Sequence, residues 1–398
     1  MFLYMVSELS ALGQVIGALT PGSPVIAVMI VEAAVTTIYT SFGGFKVSFI
    51  TDNIQATMVV GLVILATITI GVETKIDKTL IDSSGLLNAS LLGWQLLYIF
   101  PIAVLTNDFF LSNFWIRTFA SKTNKDLWIG VSIAAIVTLV ILTLVGSTGL
   151  IGTWSGAFDP AQDDGSIVFF LLLEQLPAWV VGIVLVMVIS LSTAAFDSLQ
   201  SAMVSTASND LFRNKLNTWW VRGAVVLVIV PVVVLALKAP SILQIYLISD
   251  LVSASTIPVL LIGLSDRCYW WRGFEVVTGG LGGLLTVFIF GTIYYGNAHE
   301  GAYLLLLENG LYGNDWSAFG AFVCAPVGGL LWGFGALALR LSFQFVHSKW
   351  KGHSFDSLNR PAYLEQRHAG GNEYASSDEI HSDPSAGLVI VDHKGKFF

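Results

Sequence analysis

Between residues 190 and 208, side chains able to hold a cation or a proton recur at the spacing of one helix face. Ser190, Thr193, Asp197, Ser201, Ser205 and Ser208 follow at intervals of three or four, in a segment otherwise built of Val, Leu, Ile, Met and Ala. Hydroxyls in such a row can serve close helix packing alone, because small residues let backbones approach. That reading does not cover Asp197, since a carboxylate in an apolar helix calls for a cation, a proton or a donor. A second group interrupts the apolar run from Gly93 to Leu111. Pro101 removes a backbone donor and frees a carbonyl, and Thr106, Asn107 and Asp108 follow. This is either a proline kink with interfacial aromatics or a broken helix that offers backbone dipoles to substrate and ions near the bilayer midplane. In the second case Trp94, Gln95 and Tyr98 line its outer half. A third group is Gln244, Tyr246 and Asp250, where Asp250 suits a local cap or a pair with a neighbouring helix. Glu8 and Glu32 read as residues near membrane interfaces. Paired Gly43-Gly44 permits a tight turn, and Thr51-Asp52 suits capping of the helix that follows.

The elements that position these groups are membrane-spanning helices. Of 398 residues, 55% are hydrophobic and 12% charged, and a soluble domain carries about twice that charged fraction. Apolar segments of crossing length fall at 1–18, 24–41, 53–72, 93–111, 127–149, 178–209, 218–238, 241–264, 273–295 and 317–345. A shorter apolar piece, 166–176, reads as an extramembrane or re-entrant helix before Pro177. The expected organisation is a transmembrane domain over 1–346 and a disordered polar tail over 347–398.

Charges orient the array. With the 42–52 link inside, the inner loops hold nine Lys and Arg, from Lys46 to Arg272, against Lys75, Lys78 and Lys238 outside. The tail is then cytoplasmic and the protein an integral one of the plasma membrane. No basic run points to nucleic acid. Two cysteines, Cys268 and Cys324, imply no disulfide framework. No histidine is placed for a membrane-embedded metal site. The helices hold no His-Glu metal motif, no glycine-serine nucleophile motif and no Ser/His pairing, which argues against an intramembrane enzyme.

Tyr39-Thr40-x-x-Gly43-Gly44 followed by Thr51-Asp52-x-x-Gln55 resembles the signature loop of the sodium:solute symporter family. Asp197-Ser198 through Asn209-Asp210-Leu211-Phe212 resembles its second signature helix, and Arg117–Lys122 the basic loop after its broken helix. The flavour is that of fungal urea transporters. The resemblance implies an all-α inverted-repeat fold of five helices plus five. It implies sodium-coupled alternating access carrying a small polar solute such as urea, with sodium as coupling ion and no other cofactor. Asp52 would line the inner ion-release route, and Ser192, Thr193 and Asp197 the wall of the ion site. Gln95, Tyr98, Asn107 and Gln244 would face substrate. The first helices of repeat one would lie upstream of Met1, so that residues 1–398 alone would not transport. In many relatives a hydroxyl pair coordinates sodium where gap-free counting from Asp210 places Ala194 and Ala195; Ser192-Thr193 comes two residues earlier. Either the register changes locally or sodium ligation is weakened, which opens a proton-coupled or uncoupled transporter. A sensor that binds without turnover is the remaining alternative.

Overall fold

A chain this apolar must satisfy its backbone internally wherever lipid surrounds it, and helices do so. The computed structural model describes residues 1–159, 165–238, 242–308, 311, 315–355 and 357–359. Among them every regular element is helical. In chain order these are α1 (Phe2–Leu19), α2 (Val25–Glu73), α3 (Lys78–Ser83), α4 (Leu91–Phe110), α5 (Ser112–Phe119), α6 (Asn124–Ser155) and α7 (Val168–Glu174). They are followed by α8 (Ala178–Thr206), α9 (Thr218–Lys238), α10 (Ile242–Leu264), α11 (Gly273–Tyr295), α12 (Ala298–Leu306) and α13 (Ser317–Lys351). Nine stretches among the described residues are long and apolar enough to cross a membrane, or ten if the bent pair α4–α5 is one span. The short α7 matches the extramembrane or re-entrant piece expected before Pro177. Helix α13 continues past residue 346 to Lys351, and the rest of the expected tail, from 360, lies outside the described residues.

The chain separates into two units. The first comprises Met1–Trp94 and Asp108–Ser249, the second Gln95–Asn107 and the described residues from Asp250 onward.

In the first unit, α2 is helical through 43–52, so Thr51 and Asp52 are interior residues and not the helix cap expected of them. Yet α2 is not a straight rod. The Tyr39 and Thr51 hydroxyls both reach Asp197 Oδ2, at 2.6 Å and 3.2 Å. A straight helix would hold their Cα atoms about 18 Å apart, more than the two side chains span. The run therefore bends sharply between them, and its arms follow α8 in opposite senses. On the first arm Thr37 meets Gln200, whereas on the second Thr51 meets Asp197 and Gly61 lies against Met187. The two crossings expected from the glycine-bearing link are thus present, with helical backbone at the bend. The apolar core beside them packs Leu62, Ala66 and Ile70 on Val180, Val184 and Val188, with Leu12 and Ile16 of α1.

Of the two alternatives at Pro101, a kink or a broken helix, the break is present but lies ten residues later. Helix α4 runs through Pro101 to Phe110. The chain bends by 62° at Leu111, where the backbone is extended. One missing N–H costs α4 a single backbone bond, whereas beyond Leu111 tertiary anchors take over. Leu111 is buried with Met5, Phe196 and Leu199, and the Ser112 and Thr206 hydroxyls lie 2.8 Å apart.

In the second unit, glycines bring backbones into contact. A Cβ on Gly283 of α11 would stand 2.6 Å from the Ala325 carbonyl oxygen of α13, and one on Gly279 would stand 2.8 Å from the Gly329 carbonyl oxygen. Such small-residue seams are how helices associate where lipid removes the hydrophobic drive. An ion pair locks the end of the seam: Glu275, fully buried, accepts from Arg340, whose guanidinium also donates to the Trp270 carbonyl at 2.6 Å. Gly283→Ala gains about 1 kcal/mol of helix propensity but pushes on backbone that cannot rotate away, at about 1–3 kcal/mol. We expect Gly283→Ala to lower the thermal midpoint in detergent. Gly335→Ala, with open space at its Cβ, should leave it unchanged or raised. Equal midpoints for the two variants would refute the seam.

Candidate functional site

The polar row on α8 meets α2, and the two helices treat their carboxylates differently. Asp197 has no exposed surface. Tyr39 donates to its Oδ2 at 2.6 Å and Ser48 to its Oδ1 at 2.7 Å. The hydroxyls of Thr51 and Ser198 stand at 3.2 Å and 3.3 Å. Both oxygens are thus satisfied by the chain itself, which is how a buried carboxylate becomes tolerable. One residue on, Ser198 accepts from Arg117 at 2.6 Å, and the same guanidinium nitrogen pairs with Asp52. Arg117 stands near the end of α5, so the bend at Leu111 is what delivers it. Nearby, Gln200 donates to Thr37 at 2.9 Å.

Glu32, on the first arm of α2, is the counterexample. It is 6% exposed, and neither carboxylate oxygen has a hydrogen-bond partner. The hydroxyls of Ser192 and Thr193 stand close enough to favour its charged form, though neither makes a bond to it, and the Glu8 carboxylate opposes that form. Ser192 Oγ is itself buried and unpartnered, while Thr193 donates to the Ile189 carbonyl at 2.7 Å. Glu8 accepts from Tyr246 at 2.8 Å. Along the same face of α2, Thr36 Oγ1 and Thr40 Oγ1 are also buried without partners. Glu32, Thr36 and Thr40 recur every four residues, the spacing that reveals Asp197 on α8. Glu32 lies midway along the 24–41 segment, so the expectation of an interfacial residue runs against its own position.

The expected ion-route residues Asp52, Ser192, Thr193 and Asp197 therefore all lie along the contact of α2 with α8, in two groups. Asp52 joins Asp197 through Ser198, and Ser192 and Thr193 join Glu32. Of the expected substrate-facing residues, Gln95, Tyr98 and Asn107 share α4 in the second unit. Gln95 is 3% exposed and donates to the Asp315 carbonyl at 2.9 Å. Tyr98 packs on Phe319, with ring centroids 5.3 Å apart. Asn107 donates to Asp250 and accepts from Ser253 at 3.3 Å. Gln244 is half-buried near the start of α10, in the first unit. Tyr39, Ser48, Glu32 and Tyr246 complete the site; of these the sequence pattern left Ser48 unnamed and placed Glu32 and Tyr246 in other groups. The offset at Ala194 and Ala195 has a partial structural counterpart. Residues Ala207–Leu211 form a π turn, which shifts the register of a helix by about one residue.

Spans this long and apolar define an integral membrane protein. The chain is 53% identical over 386 residues to the spermidine transporter DUR31 of Candida albicans, a match covering 96% of this chain and 74% of that protein. It belongs to that transporter's family. No family model matches the chain.

Removing the Asp197 carboxylate strands the Tyr39 and Ser48 hydroxyls, at about 1–3 kcal/mol for each buried donor left without an acceptor. Asp197→Leu should sharply lower the monodisperse fraction and thermal midpoint in detergent, and Asp197→Asn, which keeps an acceptor oxygen, should lower them less. A wild-type midpoint for Asp197→Leu would reduce the cage to incidental packing.

Proposed function

We propose that the protein carries polyamine cations of the spermidine class across the membrane by alternating access. The observation that carries this reading is the spermidine transporter matched along almost the whole chain. The site supports it chemically. Among the described residues, Glu8, Glu32 and Asp197 lie within the spans without an ion-pair partner, and the first unit's ion pair is Arg117–Asp52. A lining with excess negative charge suits amines, which are protonated at neutral pH, better than it suits neutral urea. The scaffold we infer is that of the sodium:solute symporters. The three segments that resemble that family supply Tyr39, Thr51 and Asp52, then Arg117, then Asp197 and Ser198, and all six meet in one network.

A polycation needs no coupling ion to enter a cell with a negative interior. The potential contributes about 2.3 kcal/mol per charge for each 100 mV. With alanines where many relatives carry a sodium-binding hydroxyl pair, we favour potential-driven uptake over sodium symport. Vesicles holding the purified full chain, with an imposed potassium diffusion potential, test this. Spermidine should enter when the interior is negative, with or without sodium, and urea should stay at the protein-free background. Urea uptake without spermidine uptake would overturn the substrate, an absolute sodium requirement would overturn the driving force, and no flux at all would overturn transport by these 398 residues, as both the sensor and a need for upstream helices require.

A further inference from the structure

Within the α2–α8 contact the chain supplies donors to one carboxylate and withholds them from another. Asp197 receives the Tyr39 and Ser48 hydroxyls of α2, whereas Glu32, also buried, receives none. A buried carboxylate without a partner is among the costliest states a side chain can occupy. The hydroxyls nearest Glu32 make no bond to it. The Thr193 hydrogen is spent on the Ile189 carbonyl, which leaves its oxygen lone pairs free. Ser192 Oγ is buried and unpartnered. Glu8, its Oε1 occupied by Tyr246, adds negative field. What is missing is a cationic donor.

We propose that Glu32 is the counter-ion for a protonated amine of the transported cation, with the Ser192 and Thr193 hydroxyls as its other acceptors. This rests on the polyamine reading above and gives it a binding residue. A primary ammonium carries three hydrogens, and three oxygens from Glu32, Ser192 and Thr193 stand ready to accept them. The unpartnered Thr36 and Thr40 hydroxyls continue the row, one and two turns along α2. A linear polyamine presents its amines a few carbon atoms apart, on the order of the 5.4 Å helical pitch. The row thus offers successive amines successive acceptors, leading from Glu32 toward the hydroxyls around Asp197.

Two measurements on the full chain test the assignment. In vesicles, Glu32→Gln should raise KM for spermidine by about tenfold or more, as expected when one partner of a buried charge pair is lost. Glu32→Asp, which keeps the charge, should raise it less. An unchanged KM in Glu32→Gln overturns the proposal. The second measurement uses unmutated protein, so it stands even where a variant fails to fold. An apolar carbodiimide labels buried carboxylates, and peptide mass spectrometry reads the adduct at Glu32. Spermidine should slow labelling of Glu32, and urea or sodium chloride should not. Protection by sodium but not by spermidine overturns the proposal and assigns the site to an inorganic cation. Protection by spermidine in a protein whose vesicles take up none supports the site and removes the transport reading. Spermidine uptake without protection of Glu32 leaves that reading intact and removes the site.

Discussion

A carboxylate buried among apolar helices has to find its donors inside the protein, and Asp197 finds them on one strongly bent helix. Placing such a charge at the centre of a membrane helix costs about 2.5–3.5 kcal/mol on insertion scales. The hydroxyls of Tyr39 and Ser48 offset that cost only if both arms of α2 lie against α8 at the level of Asp197. The bend in α2 follows from this requirement. So does the neighbouring network, in which Ser198 shares the Arg117 guanidinium with Asp52 and draws α5 across from the bend at Leu111.

Seen from this constraint, Glu32 is informative because the same two helices leave it unsatisfied. Donors were available in kind, since Ser192 and Thr193 face it, yet one hydroxyl bonds back to its own helix and the other makes no bond. A chain under selection for stability alone gains by removing such a group. A transporter of cations has a use for it, because an acceptor already satisfied by the protein cannot bind substrate, and an acceptor in lipid never meets it. On the proposed assignment, the satisfied carboxylate holds the helices in place and the unsatisfied one remains for the solute. The two roles are separated by little more than one turn of α8.

Much of the fold was legible in the sequence because apolar runs of crossing length have one solution in lipid. The crossings, the short helix before Pro177 and the polar row on α8 all follow from hydrophobic length and period. The misreadings have physical reasons. Proline marks a lost hydrogen bond, but α4 survives Pro101 and bends instead where Leu111 is gripped by a distant core. Thr51-Asp52 looks like a cap by local chemistry, but its partners lie on α8 and α5. The donors of Asp197 escaped pattern reading because Tyr39 and Ser48 stand 158 and 149 residues away in sequence. Glu32 carried a local signal in its mid-segment position and its repeat with Thr36 and Thr40, but nothing local shows that Ser192 and Thr193 lie beside it. The glycine seam between α11 and α13 was written in the spacing of Gly279 and Gly283, but its partner on α13 was not.

The account stands or falls on the division of labour between the two carboxylates, and a pair of electron cryo-microscopy maps of the protein, with and without spermidine, tests it directly. The account predicts added density joining Glu32 to the Ser192 and Thr193 hydroxyls in the spermidine map alone, with Asp197 enclosed by Tyr39 and Ser48 in both. Spermidine density against Asp197, with its hydroxyls turned away and Glu32 unchanged, would contradict it.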